Sequence, residues 1–261
     1  MSTSELETVV IGGGAAGIAA ARRLRQAGVK CLIVEARSRL GGRAWSVTGP
    51  TGFALDLGCG WLHSADRNPW VEVAEEQGRT IDKTPPPWRR RSLPLGFPEG
   101  GQREFLAAQQ EFFTRVSERA QKEPDIPVAA LLAPGGRWNN LIIAVGTYIS
   151  GAEIDRISAR DFDNFDDTDV NWRVVEGYGA TIAAAGANIP VMFDCPVQRV
   201  DHTGKRLKIE TTKGTVSADQ VIVTLPSTVL AETDQFFAPQ LPEKTEAAKN
   251  LPLGLADKLF L

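Results

Sequence analysis

The sequence predicts an α/β fold, a doubly wound parallel sheet interrupted by a largely helical insertion. Three observations predict it. The first thirty-five residues run from an apolar β-branched segment through a helical stretch into a second apolar segment. Residues 102–149 carry helical spacing instead, and short apolar runs separated by turn residues return after residue 171.

Composition sets the outer bounds. A chain of 261 residues exceeds one average domain of about 100–200. Hydrophobic residues at 43% and charged residues at 23% are ordinary for a soluble globular protein, which excludes disorder, collagen-like repeats and coiled coil. Lys+Arg 29 against Asp+Glu 32 leaves a net charge of −3, with no field to gather polyanions; the short Trp88–Arg91 run does not change this, and nucleic acid is not an expected partner. Cys31, Cys59 and Cys195 are too scattered for a disulfide framework or a zinc cluster, so no metal is expected and reduced thiols in a cytoplasm fit best. No Lys or Arg precedes Arg22, and the apolar run Leu141–Ile149 is about half of the roughly 20 residues that cross a bilayer, so neither export nor a membrane span is expected.

The first element, Glu5–Ile11, ends in a β-branched run that stops at glycines, as a buried parallel strand entering a tight turn would. Ala15–Ala27 follows as a helix with its alanines and Leu24 toward the sheet, and Gly28 closes it. Lys30–Glu35 is a second strand ending on a carboxylate. Gly12, Gly14 and Gly17 form G-x-G-x-x-G between strand and helix, where glycine permits the tight turn, close approach to a pyrophosphate and helix-on-sheet packing. With Glu35 placed to accept from ribose hydroxyls, this is a dinucleotide site that disfavours a 2′-phosphate. FAD and NAD are not separated by these residues.

Glu35-Ala36-Arg37-Ser38-Arg39-Leu40-Gly41-Gly42-Arg43 resembles the acid-then-R-x-G-G-R fingerprint of the flavin-containing amine oxidase superfamily, which spans monoamine and polyamine oxidases, L-amino-acid oxidases and lysine-specific histone demethylases. The resemblance makes FAD the cofactor and brings these arginines and glycines to its diphosphate. It continues along the chain. Asp56–His63 followed by Asn68-Pro69 resembles the family's D-x-G-x-x-W-x-H and N-P segment, in which Gly60 and Trp61 pass the flavin. His63 is expected to be structural and Cys59 to be a packed small residue. Asn68 and Pro69 also suit the cap and first position of a helix that Gly78 ends.

Thr80–Phe97, with its Pro85–Pro87 run, reads as a surface excursion. Gln102–Lys122 is a helix whose buried face carries Phe105, Leu106, Gln109, Phe112, Phe113 and Val116. Asn139–Ile149, apolar nearly all round, is expected to be an internal helix, and the acidic run Asp161–Asp169 a solvated loop. Beyond it, Glu176–Gly179 resembles the family's glycine turn, Cys195–Val200 its P-V-x-x-I strand with Val197 at the adenine, and Ala218–Pro226 its A-D-x-V-I-x-T-x-P strand. Leu207–Glu210 and Thr215–Val216 read as a hairpin around Thr212-Lys213-Gly214.

Leu251–Leu261 resembles P-L-G-x-x-x-K followed by a strand, which makes Lys258 the implied catalytic residue, its amine kept neutral by the cleft so that it can hold or deprotonate a water near the flavin. The resemblance implies a Rossmann-like FAD-binding domain of the GR2 type at 1–75 and 171–227 and a substrate domain at 76–170 and 228–261, with the C-terminal part of the fold absent. It implies hydride transfer from a neutral amine or amino acid to FAD, with oxygen as acceptor and hydrogen peroxide as product. Two alternatives stay open: a non-catalytic FAD-binding fragment that needs a C-terminal polypeptide partner, and a desaturase or protoporphyrinogen oxidase-like enzyme.

Overall fold

The computed structural model describes residues 6–86, 96–233 and 235–260. The Trp88–Arg91 run lies outside them. The chain divides into two compact units, one from the described residues of Met1–Thr84 and Val170–Leu253, the other from those of Pro85–Asp169 and Gly254–Leu261.

In the first unit, β1 (Thr8–Ile11) leads through the Gly12–Gly14 turn into α1 (Ala15–Gln26) and back along β2 (Cys31–Val34), parallel and in register from Thr8↔Cys31 to Ile11↔Val34. The β-branched runs make strands because each is buried on both faces. Val10 and Ile33 pack on one face and Val9, Ile11 and Val34 on the other, all fully buried and worth about 1.5–3 kcal/mol per side chain. Gly28, at φ 78, closes α1 as expected.

Two short antiparallel pairs come next. β3 (Ser46–Thr48) and β4 (Ala54–Asp56) form a hairpin. Then α2 (Pro69–Glu76) begins under the Asn68 side chain, which accepts from the Trp70 N–H at 3.0 Å. β5 (Ile81–Asp82) leaves α2 and pairs antiparallel with β6 (Arg173–Val174) across the whole insertion.

The second unit is helical. α3 (Gly101–Ala120) buries Phe105, Phe112 and Val116, but Leu106 is 54% exposed. The reason is angular: Phe105, Phe112 and Val116 fall on one line of the helix, and Leu106 sits about a quarter-turn away. α4 (Asn139–Ser150) buries Ile142 and Gly146 while Tyr148 is 82% exposed and Ile149 is also exposed, so it is a surface helix rather than the internal one its composition suggests. A core of this size offers α4 one face to pack against. The acidic run is half helical: Ser158 caps α5 (Ala159–Asp163) by accepting from the Asp161 N–H at 2.9 Å.

Back in the first unit, α6 (Tyr178–Ala185) packs with α1 and α2 on one face of the parallel sheet. β7 (Val191–Met192) forms its edge. β8 (Val197–Asp201), β9 (Leu207–Thr211) and β10 (Gly214–Ala218) make an antiparallel meander against the other face, with Thr212 and Lys213 alone turning the hairpin. β11 (Gln220–Val223) then inserts beside β1, giving the order β11-β1-β2-β7, all parallel. After α7 (Ser227–Glu232), β12 (Phe237–Ala238) pairs parallel with β8, and α8 (Pro242–Lys249) follows.

The division differs from the expected one in two places. Residues 76–84 and 228–253 belong to the first unit, because β5 finds its partner in β6 and β12 finds its own in β8. The strand expected around Lys258 does not form among the described residues. Residues 252–260 have no regular secondary structure and are exposed, and the Leu255 N–H donates to the Gly151 carbonyl at 2.7 Å rather than into a ladder.

No described helix is long and apolar enough to cross a membrane. Among the described residues no group of three or more His, Cys, Asp or Glu could hold a metal ion.

Candidate functional site

The site begins at the C-terminal ends of β1, β2 and β11. There the chain needs a turn that only small residues allow. Gly12 has φ 106, and a Cβ on it would lie 2.8 Å from Thr224 Oγ1 at the end of β11. A Cβ on Gly17 would lie 1.9 Å from the Gly12 carbonyl oxygen, so the first turn of α1 sits directly on the turn before it.

Glu35 is the keystone of this turn. It is only 7% exposed. Its Oε2 accepts from the Gly13 N–H at 2.6 Å and its Oε1 from the Arg37 N–H at 2.8 Å. Each oxygen keeps a further lone pair, so the carboxylate can serve a ribose hydroxyl while it holds the backbone.

The N-terminus of α1 has no side-chain cap and no acid in its first turn. This sets it apart from the other helices of useful length in its unit. α2 has Asn68, and α6 is capped from a distance: Asp56 accepts from the N–H groups of Tyr178 and Gly179, both at 3.1 Å, and Ser46 Oγ accepts from Ala180 at 2.8 Å. Ser46 donates in turn to Asp56 Oδ1 at 2.5 Å. The open N–H groups of Ala15, Ala16 and Gly17, with the positive end of the dipole, suit an anion.

The R-x-G-G-R loop lies against that end. Gly41 N–H donates to the Gly13 carbonyl at 2.8 Å, and a Cβ on Gly42, at φ 59, would lie 3.1 Å from the Gly14 Cα. Beside it opens a cleft of about 480 Å³ lined by Arg37, Arg39, Gly42, Arg43, Trp45, Leu57 and Gly58. Among the described residues no carboxylate makes an ion pair with Arg37, Arg39 or Arg43. Burial, with Arg37 alongside, pushes the Arg39 guanidinium below its usual pKa, and Glu35 offsets this in part. Three arginines lining one cleft next to an uncapped helix end give it the positive charge that a diphosphate needs, and the backbone is small enough there to let it approach. The residues present therefore fit a dinucleotide such as FAD.

Of the residues expected in the site, Gly12, Gly14, Ala15, Ala16, Gly17, Glu35, Ala36, Arg37, Gly42 and Arg43 lie in or beside these two interlocked loops. Gly60 and Trp61 do not line the cleft. Gly60 is buried against Asp56, and the Trp61 ring lies under the Arg173 guanidinium, 5.0 Å away, while Arg173 pairs with Asp82 at 2.9 Å. Val197 sits in β8, packed against the core of the meander. Lys258 is exposed, in a segment of the second unit without regular secondary structure.

His63 has the structural part expected of it. Its Nδ1 lies 2.5 Å from Asn171 Oδ1, and its carbonyl accepts from Asn68 Nδ2 at 2.9 Å. Cys59, expected to be packed, is exposed. Its backbone N–H is held by the Arg43 carbonyl at 3.2 Å, because the Leu57–Cys59 backbone is pressed onto Arg43–Trp45. Arg39, which the fingerprint brings to the diphosphate with the other arginines, lines the cleft. Sequence reasoning missed Trp45, Leu57 and Gly58 as cleft residues and Asp56 with Ser46 as the cap of α6; the cap joins residues more than a hundred positions apart and leaves no local signal.

Residues 15–86 and 155–261 match the family described as flavin containing amine oxidoreductase. Lysine-specific histone demethylase 2 of Homo sapiens is 25% identical over 282 residues, covering 97% of this chain and 34% of that protein. Polyamine oxidase 2 of Arabidopsis thaliana is 27% identical over 291 residues, covering 100% of this chain and 59% of that protein. A solved structure of a redesigned putrescine oxidase superposes with a TM-score of 0.73 at 20% identity, covering 95% of this chain and 64% of the other, which speaks for a shared α/β fold. The chain thus spans between about a third and three fifths of the length of these curated relatives.

Proposed function

The chain belongs to the flavin containing amine oxidoreductase family, whose cofactor is FAD, and from that premise we propose that it carries the FAD-holding part of an enzyme oxidising the C–N bond of an amine or amino acid. The product is an imine, oxygen is the electron acceptor and hydrogen peroxide is released. The observation that carries this reading is the uncapped N-terminus of α1 beside a cleft of three arginines that have no carboxylate ion-pair partner among the described residues.

The first unit acts as a Rossmann-like FAD-binding domain, and the helical unit belongs to the substrate side. The N–H groups of Ala15, Ala16 and Gly17 and the guanidinium groups of Arg37 and Arg43 hold the diphosphate. Glu35 accepts from the ribose while it keeps the glycine turn closed, and Ala36 enters by resemblance as backbone beside it. Gly60, Trp61 and Val197 enter by resemblance, as backbone that flanks the flavin and the adenine. When bound, FAD supplies the redox chemistry as hydride acceptor. By resemblance, Lys258 holds a water and passes a proton through it at Nζ. The substrate is a neutral amine, because only an unprotonated nitrogen can push a hydride from its α-carbon.

The test is to strip the full chain of flavin, titrate it with FAD, and assay peroxide with a panel of amines and amino acids. We expect FAD to bind, ADP to compete and riboflavin to compete poorly. Lys258→Met is expected to keep the FAD affinity and to slow flavin reduction, reoxidation or both. A folded chain that ignores FAD overturns the reading; unchanged half-reactions in Lys258→Met remove that lysine from it.

A further inference from the structure

The Arg39 guanidinium is committed to its own loop. Its Nη1 donates to the Leu40 carbonyl at 3.2 Å and its Nη2 to the Gly42 carbonyl at 3.0 Å. Its plane lies over the Trp45 ring, with Cζ 4.6 Å from the ring centroid. Arg37 shares the same carbonyl, donating Nη1 to Gly42 at 3.4 Å, but that bond is long and Arg37 is exposed, so its fork is available to a ligand.

The loop that Arg39 holds is closed by the Ala44 N–H donating to the Gly41 carbonyl at 2.9 Å, and the Arg39 fork adds two bonds to it. Gly41 and Gly42 both have positive φ, at 102 and 59, and glycine leaves such a turn loose in the absence of other ties. Yet the turn must be set to within a fraction of an ångström. Gly42 rides on the Cα of Gly14, and Gly41 donates to the carbonyl of Gly13, so any movement of the second loop opens the first. A planar fork that spans two carbonyls and stacks on an indole is suited to this task; an ammonium on a flexible stem is not.

We infer that Arg39 is a positioning residue that locks the Leu40–Gly42 turn against the Gly12–Gly14 turn, while Arg37 and Arg43 are the ligands of the anion. This inference rests on the FAD reading above and divides the three arginines of the cleft into one strut and two binding groups. A cluster of three like charges is costly to hold together without an anion, and tying the central one to carbonyl oxygens and an aromatic face lowers that cost before the cofactor arrives.

The experiment compares Arg39→Lys and Arg39→Met with wild type, measuring FAD affinity of the stripped full chain by flavin fluorescence at low and high salt, with far-UV circular dichroism to check folding. A strut predicts that Arg39→Lys, which keeps the charge, loses about tenfold or more in affinity, close to the loss in Arg39→Met, because two charge-assisted bonds to carbonyls disappear in both. It also predicts that the salt dependence of binding stays that of wild type in both variants, because no charge facing the phosphates has been removed. Arg37→Met is the contrast: its affinity loss shrinks as salt rises. If Arg39→Met does not fold, Arg39→Lys alone decides. Wild-type affinity in Arg39→Lys overturns the strut, and so does a weakened salt dependence in Arg39→Met, which would make Arg39 a ligand. Wild-type protein that does not bind FAD fails the functional reading instead, a result distinct from either.

Discussion

The two compact units are specified by different means. Around the glycine loops of the first, backbone meets backbone: a Cβ would stand 1.8 Å from the Arg43 carbonyl oxygen at Gly58, 1.9 Å from that of Gly12 at Gly17, and 2.5 Å from the Trp45 nitrogen at Gly179. In the core of the helical unit, side chain meets side chain. Phe112, Phe113 and Phe162 run together, with ring centroids 5.6 and 6.0 Å apart, and at Gly146 a Cβ would meet only the Ile154 Cγ2, at 2.7 Å. A neighbouring methyl can move, whereas a carbonyl in a turn that already has its hydrogen bonds cannot. The first unit therefore tolerates few changes of residue size near its site, and the second tolerates many that keep its volume.

The sharpest way to break this contrast is a pair of Gly→Ala substitutions. Gly17→Ala is expected to cost on the order of 3 kcal/mol in urea unfolding and to abolish tight FAD binding, since its Cβ has a backbone oxygen in its place. Gly146→Ala gains about 0.5–1 kcal/mol of helix propensity against some overpacking, and should change stability by less than about 1.5 kcal/mol. Equal costs would show that backbone approach does not distinguish the units.

A smaller effect sharpens the comparison at the helix caps. Asp56→Ala leaves two N–H groups of α6 and the Ser46 hydroxyl without their acceptor, and should cost about 1–2 kcal/mol. Ser158→Ala, which removes one bond to the start of α5 and the hydroxyl's bond to the exposed Asp125 carboxylate, should cost about 0.5–1 kcal/mol. Urea midpoints of both variants test the order. Asp56→Asn should fall between wild type and Asp56→Ala, because it keeps an acceptor and loses the charge that favours a helix N-terminus.

The smallest expected effect is on pH dependence. Bonds from Thr84, with the Arg173 ion pair behind them, hold the Asp82 carboxyl below the usual carboxylate range. Its folded pKa is therefore lower than its unfolded one. The stabilisation is complete above the ordinary carboxylate pKa near 4 and is lost as pH falls through the lower folded value. Asp82→Asn should flatten the fall of the urea midpoint between about pH 5 and about pH 3 by a small margin, as befits an exposed pair. An unchanged slope would mean that the β5–β6 arm gains nothing from this charge.

Much of the first unit was legible in the sequence, and the reason is local. The G-x-G-x-x-G and R-x-G-G-R runs show themselves because a positive φ or a backbone contact restricts the residue at that position, whatever lies elsewhere. Helix α2 was legible down to its cap, since Asn68, Pro69 and Gly78 act within a few residues of one another. Periodicity found α3 and placed Phe105, Phe112 and Val116 inside, but Leu106, a quarter-turn from their line, went to solvent.

By itself, then, the sequence determined the βαβ start, the glycine cradle, the acid at the end of β2 and the family to which these belong. Tertiary structure decided the partners. Asp56 reaches the N-terminus of α6, β12 leaves the expected substrate domain to pair with β8, and the Trp61 ring receives Arg173. It also decided that Arg39 turns its donors on its own loop. The physical reason is that a turn or a cap is a matter of a few dihedral angles, which residue type restricts directly. A contact between distant residues depends on which surfaces remain to be covered once the sheet has formed, and no local pattern records that.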